Sequence, residues 1–327
     1  MNAPSPAVVL EVKDLRTYFF TRRGVGKAVD GVSFNLHAGR TLGLVGESGS
    51  GKSVTASSIL QLQPRPAARI VGGAVTFLGV DLITKTDKEM RTYRGRHIAY
   101  VPQDPLSSLN PVYTIGEQVA EGMRIHLGMS RAAARERVLA LLRVMSIPSP
   151  EERVDAYPHQ LSGGTRQRVV SAMGISCNPE ILIADEPTTA LDVTVQATYL
   201  DLLRDVQQER GLAILFITHD FGIVANVCDE VAVMYAGRIV ERAPTLKLFA
   251  APAHPYTQAL LESLPDPTQP VERLPAIPGQ PPSIFERPEG CPFAPRCRKV
   301  EARCTEIYPP FVELEDGQGA ACWKLVA

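Results

Sequence analysis

The sequence predicts an α/β fold built on a parallel sheet whose strands are covered by helices on both faces. Three short apolar runs indicate it: "TLGLVG" (41–46), "EILIADEP" (180–187) and "LAILFITHD" (212–220). Each run is too short for a helix and lacks the alternation of a half-exposed strand, which is typical of a strand buried on both faces. "EVAVMY" and "RIVE", which flank Ala236-Gly237, predict a hairpin beside that sheet.

A small helical subdomain is expected between the first two buried strands, at about residues 105–175. Its best-patterned part, "RAAARERVLALLRVM" (131–145), places Val138, Leu141, Leu142 and Met145 on one helical face. From about His254 proline becomes frequent, which predicts a short helix and then an extended connection. The predicted organisation is one large domain over 1–253 and a C-terminal extension over 254–327.

Composition limits the functions that the chain can have. A formal net charge of −1 predicts no general affinity for nucleic acid or anionic lipid. The first fifteen residues lack the basic start of a signal peptide, and no apolar stretch approaches the ~18 residues that span a bilayer. We therefore expect a cytosolic protein, which would act at a membrane through a partner chain and whose clustered cysteines would bind metal.

"GESGSGKS" (46–53) matches the phosphate-binding loop G-x-x-x-x-G-K-[ST], between a predicted buried strand and a helix-forming run. This context predicts a P-loop NTPase. Backbone N–H groups at Gly49 and Gly51 are expected to close around phosphate at the start of a helix. Lys52 should reach the β- and γ-phosphates of ATP, and the Ser53 hydroxyl should bind Mg²⁺. The expected nucleotide contacts of the loop are Gly46, Ser48, Gly49, Ser50, Gly51, Lys52 and Ser53.

"ILIADEP" supplies an acidic pair at the carboxyl end of a buried strand, where α/β sheets bind their ligands. Asp185 is the predicted Mg²⁺ partner. Glu186 is the predicted base for an attacking water. Alone, such a pair is typical of a solvated strand end, but its position after the phosphate loop favours the catalytic interpretation.

"LSGGTRQR" (161–168), "ALD" (190–192) and "THD" (218–220) follow in the order found in one family. Together with the phosphate loop, they resemble the ATP-binding subunit of ABC transporters over roughly residues 8–250. The resemblance implies a dimer in which ATP lies between the phosphate loop of one subunit and the signature residues of the other. Ser162, Gly163 and Gly164 are the signature residues here and would present a hydroxyl and amides to phosphate.

The same resemblance assigns four further residues. Gln103 in "VPQDP" would contact Mg²⁺ and the attacking water, His219 would lie near the γ-phosphate, and Asp192 would cross the dimer interface. Phe19 would stack on adenine, although a core-packing role stays open for it. Thr165 departs from the family pattern, and its side chain is expected to lie past the phosphate-facing amides with little effect.

"QDPLSSLNPVYTIGEQ" (103–118), "HPYTQALLESLP" (254–265) and the cysteine-bearing tail resemble the ATP-binding subunits of bacterial dipeptide/oligopeptide/nickel importers. This implies a peripheral ATPase on the cytoplasmic face of the membrane that powers uptake of short peptides. Its implied partners are two integral membrane permease subunits, a second, related ATPase subunit and, indirectly, an extracytoplasmic substrate-binding protein. Nickel chelates and glutathione stay open as substrates. The alternative is a soluble ABC ATPase acting on DNA or ribosomes. A metal-responsive regulator that no longer hydrolyses ATP is disfavoured, because Glu186 and His219 are both present.

Four of the six cysteines, Cys291, Cys297, Cys304 and Cys322, lie in the tail with spacings of x5, x6 and x17. Four thiolates suit either tetrahedral Zn²⁺ or an iron–sulfur cluster. The family resemblance favours a 4Fe-4S cluster, and unligated buried cysteines are the other possibility. Because the tail is far in sequence from every phosphate-handling residue, its role is predicted to be structural or interface-forming. Cys177 and Cys228 are expected to be small core residues.

Overall fold

The computed structural model describes residues 6–189, 191–264 and 275–326. Ala190 of the "ALD" motif, Pro265 of "HPYTQALLESLP" and residues 265–274 of the expected extended connection lie outside this range. So does Ala327.

The strands of the described chain are β1 (Val8–Thr21), β2 (Gly24–His37), β3 (Thr41–Val45), β4 (Ala68–Phe77), β5 (Val80–Asp81), β6 (Ile98–Val101), β7 (Ile181–Asp185), β8 (Ala213–Thr218), β9 (Glu230–Tyr235), β10 (Arg238–Pro244), β11 (Val312–Glu313) and β12 (Gly319–Ala320). The α-helices are α1 (Lys52–Ile59), α2 (Asp87–Tyr93), α3 (Pro105–Ser108), α4 (Ile115–His126), α5 (Arg131–Val144), α6 (Pro150–Arg153), α7 (Gly163–Ile175), α8 (Val193–Arg210), α9 (Phe221–Val227), α10 (Thr245–Ala250), α11 (Pro255–Glu262) and α12 (Ala302–Glu306). Short 3₁₀ turns lie between some of them.

The chain forms two compact units. The first comprises the described residues through Leu10, then Leu36–Thr41 and Phe77–Ile217. In it β6, β7 and β8 are parallel neighbours, with Ile98 opposite Ile181 and Ile181 opposite Ala213. Every residue of β7 and β8 is buried, as predicted for strands covered on both faces.

Several helices of the first unit begin where the sequence offers a capping side chain. Thr114 and Glu117 form a reciprocal capping box at the start of α4, and Ser130 caps α5. The predicted apolar face of α5 is confirmed, since Val138, Leu141 and Leu142 are buried in the helix and Met145 is buried at its end.

The second unit comprises Glu11–Asn35, Leu42–Thr76 and the described residues from Thr218 onward. Strands β2, β1 and β4 are hydrogen-bonded neighbours in that order. β3 pairs with β9 in parallel, and β10 pairs antiparallel with both β9 and β12. The strand β12 comes from the end of the chain, so the C-terminal extension completes this part of the sheet.

The predicted hairpin is confirmed. Its turn residues, Ala236 and Gly237, have φ angles of 45° and 79°, the left-handed values that suit a two-residue hairpin turn. The short helix predicted after His254 is α11. Cys177 and Cys228 are buried core residues, as expected. The division between residues 253 and 254 stays a prediction. Across the described residues, no helix combines the length and the apolar character that crossing a membrane requires.

A buried charge cluster joins the C-terminal extension to β2. Asp30 is 8% exposed at its side chain and accepts hydrogen bonds from the Tyr18 hydroxyl (2.5 Å), Arg238 (2.7 Å) and Arg287 (2.6 Å). The Arg238 guanidinium also stacks over the Tyr308 ring, 3.9 Å from its centroid. Burial acts to raise the pKa of Asp30, but the Tyr18 and Arg238 hydrogen bonds outweigh it and lower that pKa to about 2.

The lowered pKa of Asp30 makes the stability of the fold depend on pH in a defined window. The pKa of Asp30 is about 2 in the folded chain and 3.8 when the side chain is free in the unfolded chain. This difference contributes about 2 kcal/mol to the free energy of unfolding above pH ~4. That contribution is lost as pH falls from about 4 towards 2, because both states then bind the proton. We expect Asp30→Asn to be less stable than wild type by a constant amount between pH 7 and 5, and by a smaller amount below pH ~4.

Urea unfolding at several pH values measures this difference. Asp14→Asn is the matched control, because Asp14 pairs with Arg16 on the surface with 53% of its side chain exposed. It should cost well under about 1 kcal/mol at every pH. If the difference in unfolding free energy between wild type and Asp30→Asn became smaller already between pH 7 and 5, the lowered pKa of Asp30 would be contradicted.

Candidate functional site

The predicted phosphate loop lies in the second unit, between β3 and α1. Gly51 is the residue before α1 and has a φ of 106°, a left-handed value that glycine adopts freely. A Cβ at this position would also lie 2.4 Å from the carbonyl oxygen of Ala28. The positive φ and the lack of space for a Cβ both require glycine at position 51. The loop can therefore turn its backbone N–H groups towards a phosphate.

Lys52 is buried, and its ammonium group folds back over the loop. Its Nζ donates hydrogen bonds to the carbonyl oxygens of Gly46 (2.8 Å) and Glu47 (3.0 Å). The Oγ of Ser50 is buried and has no hydrogen-bond partner within the described part of the chain. Ser48, Gly49 and Ser53 are exposed. A cation, an unpaired hydroxyl and an exposed helix start together suit a phosphate ligand.

Glu47, the second residue of the loop, is held by residues that sequence reasoning missed. The guanidinium of Arg296 forms two parallel hydrogen bonds with its carboxylate, at 2.8 and 2.9 Å. The backbone N–H of Glu47 donates to the hydroxyl of Tyr256 at 3.0 Å. Arg296 lies 249 residues from Glu47 in the chain, so no local pattern could have linked them. The C-terminal extension is therefore adjacent to the phosphate loop in space.

The acidic pair lies in the first unit at the end of β7. Asp185 is 2% exposed and accepts a hydrogen bond from the Tyr100 hydroxyl at 2.8 Å. Burial, and then the charge of Asp185, raises the pKa of Tyr100, which keeps its proton and stays a donor. Tyr100 was also missed by sequence reasoning, because a half-buried tyrosine on a strand carries no motif.

Glu186 adopts a φ of 47°, a conformation uncommon for glutamate. Its carboxylate accepts hydrogen bonds from Gln103 Nε2 (2.8 Å) and from the Thr189 hydroxyl (3.2 Å). The two residues predicted to handle the attacking water, Gln103 and Glu186, are therefore in direct contact. Backbone strain at such a position is frequent where a side chain has a chemical role.

The predicted signature residues lie at the start of α7, also in the first unit. Ser162 is the N-cap, and its Oγ accepts a hydrogen bond from the Thr165 N–H at 3.3 Å. Gly164 packs closely against α8, because a Cβ there would lie 2.7 Å from Val195 Cγ1. Thr165 was expected to lie past the phosphate-facing amides without effect. Its hydroxyl instead forms a 2.9 Å hydrogen bond with the Ser162 hydroxyl, so this departure from the family pattern touches the signature serine.

Three further predicted site residues remain: Asp192, His219 and Phe19. Asp192 caps α8 by accepting a hydrogen bond from the Val195 N–H at 3.0 Å. His219 is exposed at the end of β8 and precedes Asp220, the N-cap of α9. Phe19 is half-buried on β1, between two aromatic residues on the opposite face of that strand. The Tyr18 hydroxyl binds Asp30, and the Phe20 ring lies under the Arg69 guanidinium.

The four tail cysteines all lie within the described residues. All six cysteines are free. Across residues 6–189, 191–264 and 275–326, no three or more His, Cys, Asp or Glu side chains are grouped to hold a metal ion. Burial raises the pKa of Cys291 to about 11 and also raises that of Cys297 and Cys322. A bound metal ion is what deprotonates and gathers such thiols, so the raised pKa values describe the metal-free chain only.

The sulfurs nonetheless lie within one another's electrostatic fields. Cys297 and Cys304 each raise the pKa of Cys291 and of Cys322, and Cys304 raises that of Cys297. The Lys299 N–H donates a hydrogen bond to Cys297 Sγ at 3.3 Å. The backbones of Cys291 and Cys304 are joined directly by a 2.7 Å hydrogen bond. The fold thus gathers the four cysteines in one region of the extension.

Comparison with known proteins agrees with this geometry. The family described as "ABC transporter" matches residues 29–189, and "Oligopeptide/dipeptide transporter, C-terminal region" matches residues 240–304. The Sinorhizobium fredii protein named "Probable peptide ABC transporter ATP-binding protein" is 50% identical over 98% of this chain and 96% of its own length. The dipeptide transport ATP-binding protein of Bacillus subtilis is 47% identical over 96% of this chain and 94% of its own length.

Solved structures show the same fold over the nucleotide-binding part. A dimeric ATP-binding cassette in a post-hydrolysis state, bound to ADP and Pi, superposes with a TM-score of 0.66 and 26% identity. The superposition covers 72% of this chain and 98% of the solved chain. With an intact phosphate loop, acidic pair and signature helix, this chain belongs to the ATP-binding proteins of ABC transporters, in the group that carries the oligopeptide/dipeptide transporter C-terminal region.

Proposed function

We propose that this chain is the ATP-hydrolysing subunit of an importer of short peptides. The observation that carries the proposal is the match over nearly the whole chain, extension included, to proteins named for peptide and dipeptide transport. The chain would act on the cytoplasmic face of a membrane with two permease subunits, a second ATPase subunit and a substrate-binding protein. No nucleic-acid partner is implied, in keeping with the net charge of −1.

Each proposed site residue would have its own role in ATP hydrolysis. The loop from Gly46 to Ser53 holds the phosphates, with the Lys52 ammonium neutralising their charge. Ser53, Gln103 and Asp185 would hold Mg²⁺, which supplies charge neutralisation at the β- and γ-phosphates. Ser162, Gly163 and Gly164 complete the site of the opposite subunit, with Asp192 beside them at the dimer interface. Phe19 would stack on adenine, since Tyr18 and Phe20 are engaged elsewhere.

Glu186 is the proposed general base, assisted by His219 near the γ-phosphate. Its hydrogen bond to Gln103 orients the carboxylate, to which a water could lose its proton as it attacks phosphorus. ATP binding would close the dimer by adding contacts to the γ-phosphate, and hydrolysis would release it.

Glu186→Gln should bind ATP normally and lose turnover by at least about 100-fold, because the amide can keep a hydrogen bond to Gln103 but cannot accept the proton. Phosphate release and nucleotide retention by the assembled transporter measure the two effects. Glu136→Gln, the same change at an exposed position of α5, is the control and should behave as wild type. Turnover of Glu186→Gln near the wild-type rate would refute the base assignment.

The peptide substrate is tested by growth. A deletion strain should fail to grow on di- or oligopeptides as sole nitrogen source, and the wild-type chain should restore growth. The Lys52→Ala chain should not restore it, because the phosphate loop loses its cation. Normal growth of the deletion strain on every peptide, with loss of nickel or glutathione uptake, would instead favour nickel chelates or glutathione as the substrate.

For the tail we propose an iron–sulfur cluster, or Zn²⁺ in its place, held by Cys291, Cys297, Cys304 and Cys322. Four cysteine sulfurs in one region suit either group, and the N–H bond to Cys297 Sγ is of the kind that stabilises a bound thiolate. Burial raises the pKa of Cys297 and Cys322, and Lys299 and Lys324 offset part of that rise by charge and by backbone hydrogen bonds. A bound group would supply covalent cross-links to a segment with little regular structure.

Anaerobically purified protein should therefore be brown, absorb near 400 nm and contain about four iron atoms per chain. Cys297→Ser should lose the colour and lower the melting temperature, whereas Cys177→Ser should keep the colour. Colourless protein with stoichiometric zinc would show that zinc occupies the site, and protein with neither metal would refute both.

A further inference from the structure

Glu47 is an unexpected residue in a loop that binds phosphate. Its carboxylate adds a negative charge two residues before Gly49, in a loop whose amides and lysine are arranged for an anion. An unneutralised carboxylate there would repel the β- and γ-phosphates of ATP. The side chain is 24% exposed, so solvent screens its charge only in part.

Arg296 supplies the neutralising charge in a fixed orientation. Its side chain is only 6% exposed, and both terminal nitrogens bind the Glu47 carboxylate, at 2.8 and 2.9 Å. The guanidinium has two further partners: Nε donates to the Pro278 carbonyl at 2.9 Å, and Nη1 lies 3.2 Å from the Tyr235 hydroxyl. A guanidinium held on three sides leaves the carboxylate one favourable position.

The backbone of Glu47 connects this pair to the phosphate-binding lysine. Its N–H donates to the Tyr256 hydroxyl (3.0 Å), and its carbonyl accepts from Lys52 Nζ (3.0 Å). The Tyr256 ring is fully buried against Tyr235 and Phe293, with ring centroids 4.5 and 5.3 Å away. All three polar groups of Glu47 are thus bound, and two of the binding residues belong to the C-terminal extension.

We propose that Arg296 is a positioning residue for ATP: it neutralises Glu47 and holds the start of the phosphate loop in the conformation that presents Lys52. The inference rests on the proposed nucleotide role of the loop. It gives the extension a direct effect on ATP affinity in addition to any structural role. If the loop populates its binding conformation less often without Arg296, the apparent Kd rises in inverse proportion to the population that remains.

Arg296→Met should raise the Kd for ATP, measured with a fluorescent ATP analogue on the full-length chain, by about tenfold. In the assembled transporter the KM for ATP should rise by a similar factor, while kcat at saturating ATP stays within about twofold. Arg298→Met is the matched control, because Arg298 is two residues away, is 68% exposed and pairs with Glu262 on the surface. It should bind ATP as wild type does.

The double variant Glu47→Gln/Arg296→Met separates the neutralisation of Glu47 by Arg296 from the packing of the Arg296 side chain. Removing the carboxylate removes the charge that Arg296 offsets, so the double variant should recover a Kd within about threefold of wild type. Equal affinity for Arg296→Met and wild type, or a double variant as weak as Arg296→Met, would overturn the proposal. If Arg296→Met does not fold, Arg296→Gln, which also removes the charge, and its Glu47→Gln double are measured with the same criteria.

Lys52→Ala distinguishes failure of this inference from failure of the proposed site. Lost ATP binding in Lys52→Ala with normal binding in Arg296→Met would reject only the role of Arg296. Normal binding in Lys52→Ala would instead reject the proposed phosphate site.

Discussion

The geometry of the phosphate loop depends on the close approach of three backbone segments around one oxygen atom, the carbonyl oxygen of Ala28 in β2. A Cβ at Gly51 would lie 2.4 Å from it, and a Cβ at Gly237 would lie 2.6 Å from it. The N–H of Gly237 also donates to the Ser50 carbonyl, and the Gly237 carbonyl accepts from the Asp30 N–H, both at 2.8 Å. The loop is therefore fixed from outside, by the hairpin turn and by β2, and both glycines are required by space as well as by conformation.

A charged residue of the C-terminal extension, Arg287, binds the backbone beside the contact between Ala28, Gly51 and Gly237. Arg287 donates to the carbonyl oxygens of Lys27 and Ala236, which flank the contact, and to the Asp30 carboxylate. Deeper in the same unit, the fully buried Glu241 accepts hydrogen bonds from the backbone of Ala253 and His254 and from the Gln318 side chain. Buried ion pairs and polar networks add little net stability, but removing one member leaves an uncompensated charge or dipole. Their effect here is to admit one arrangement of the extension against the phosphate loop and its neighbours.

The sequence predicted the elements whose signal is local. The buried strands, the helix over 131–145, the hairpin turn and the phosphate loop each depend on fewer than twenty consecutive residues, and the structure contains all of them. The tail is remote from the phosphate-binding residues along the chain, and its predicted role is structural or interface-forming. In space its Arg296 contacts Glu47 of the phosphate loop, which no local pattern indicated. Tyr100 was missed for a related reason, since it forms a hydrogen bond to the motif residue Asp185 and belongs to no motif itself. The small effect expected for Thr165, whose hydroxyl contacts that of Ser162, stays a prediction.

The sequence by itself thus determined the fold class, the order of the nucleotide motifs and the family, because periodicity, glycine placement and motif order are properties of the linear chain. Only the tertiary structure decided that the cysteine-bearing extension contacts the phosphate loop, through Arg296 and Tyr256. The physical reason is that a hydrogen bond or ion pair between distant segments forms only when the two atoms are placed to within a few tenths of an ångström. Such distances are set by the packing of the whole unit, and no spacing in the sequence records them.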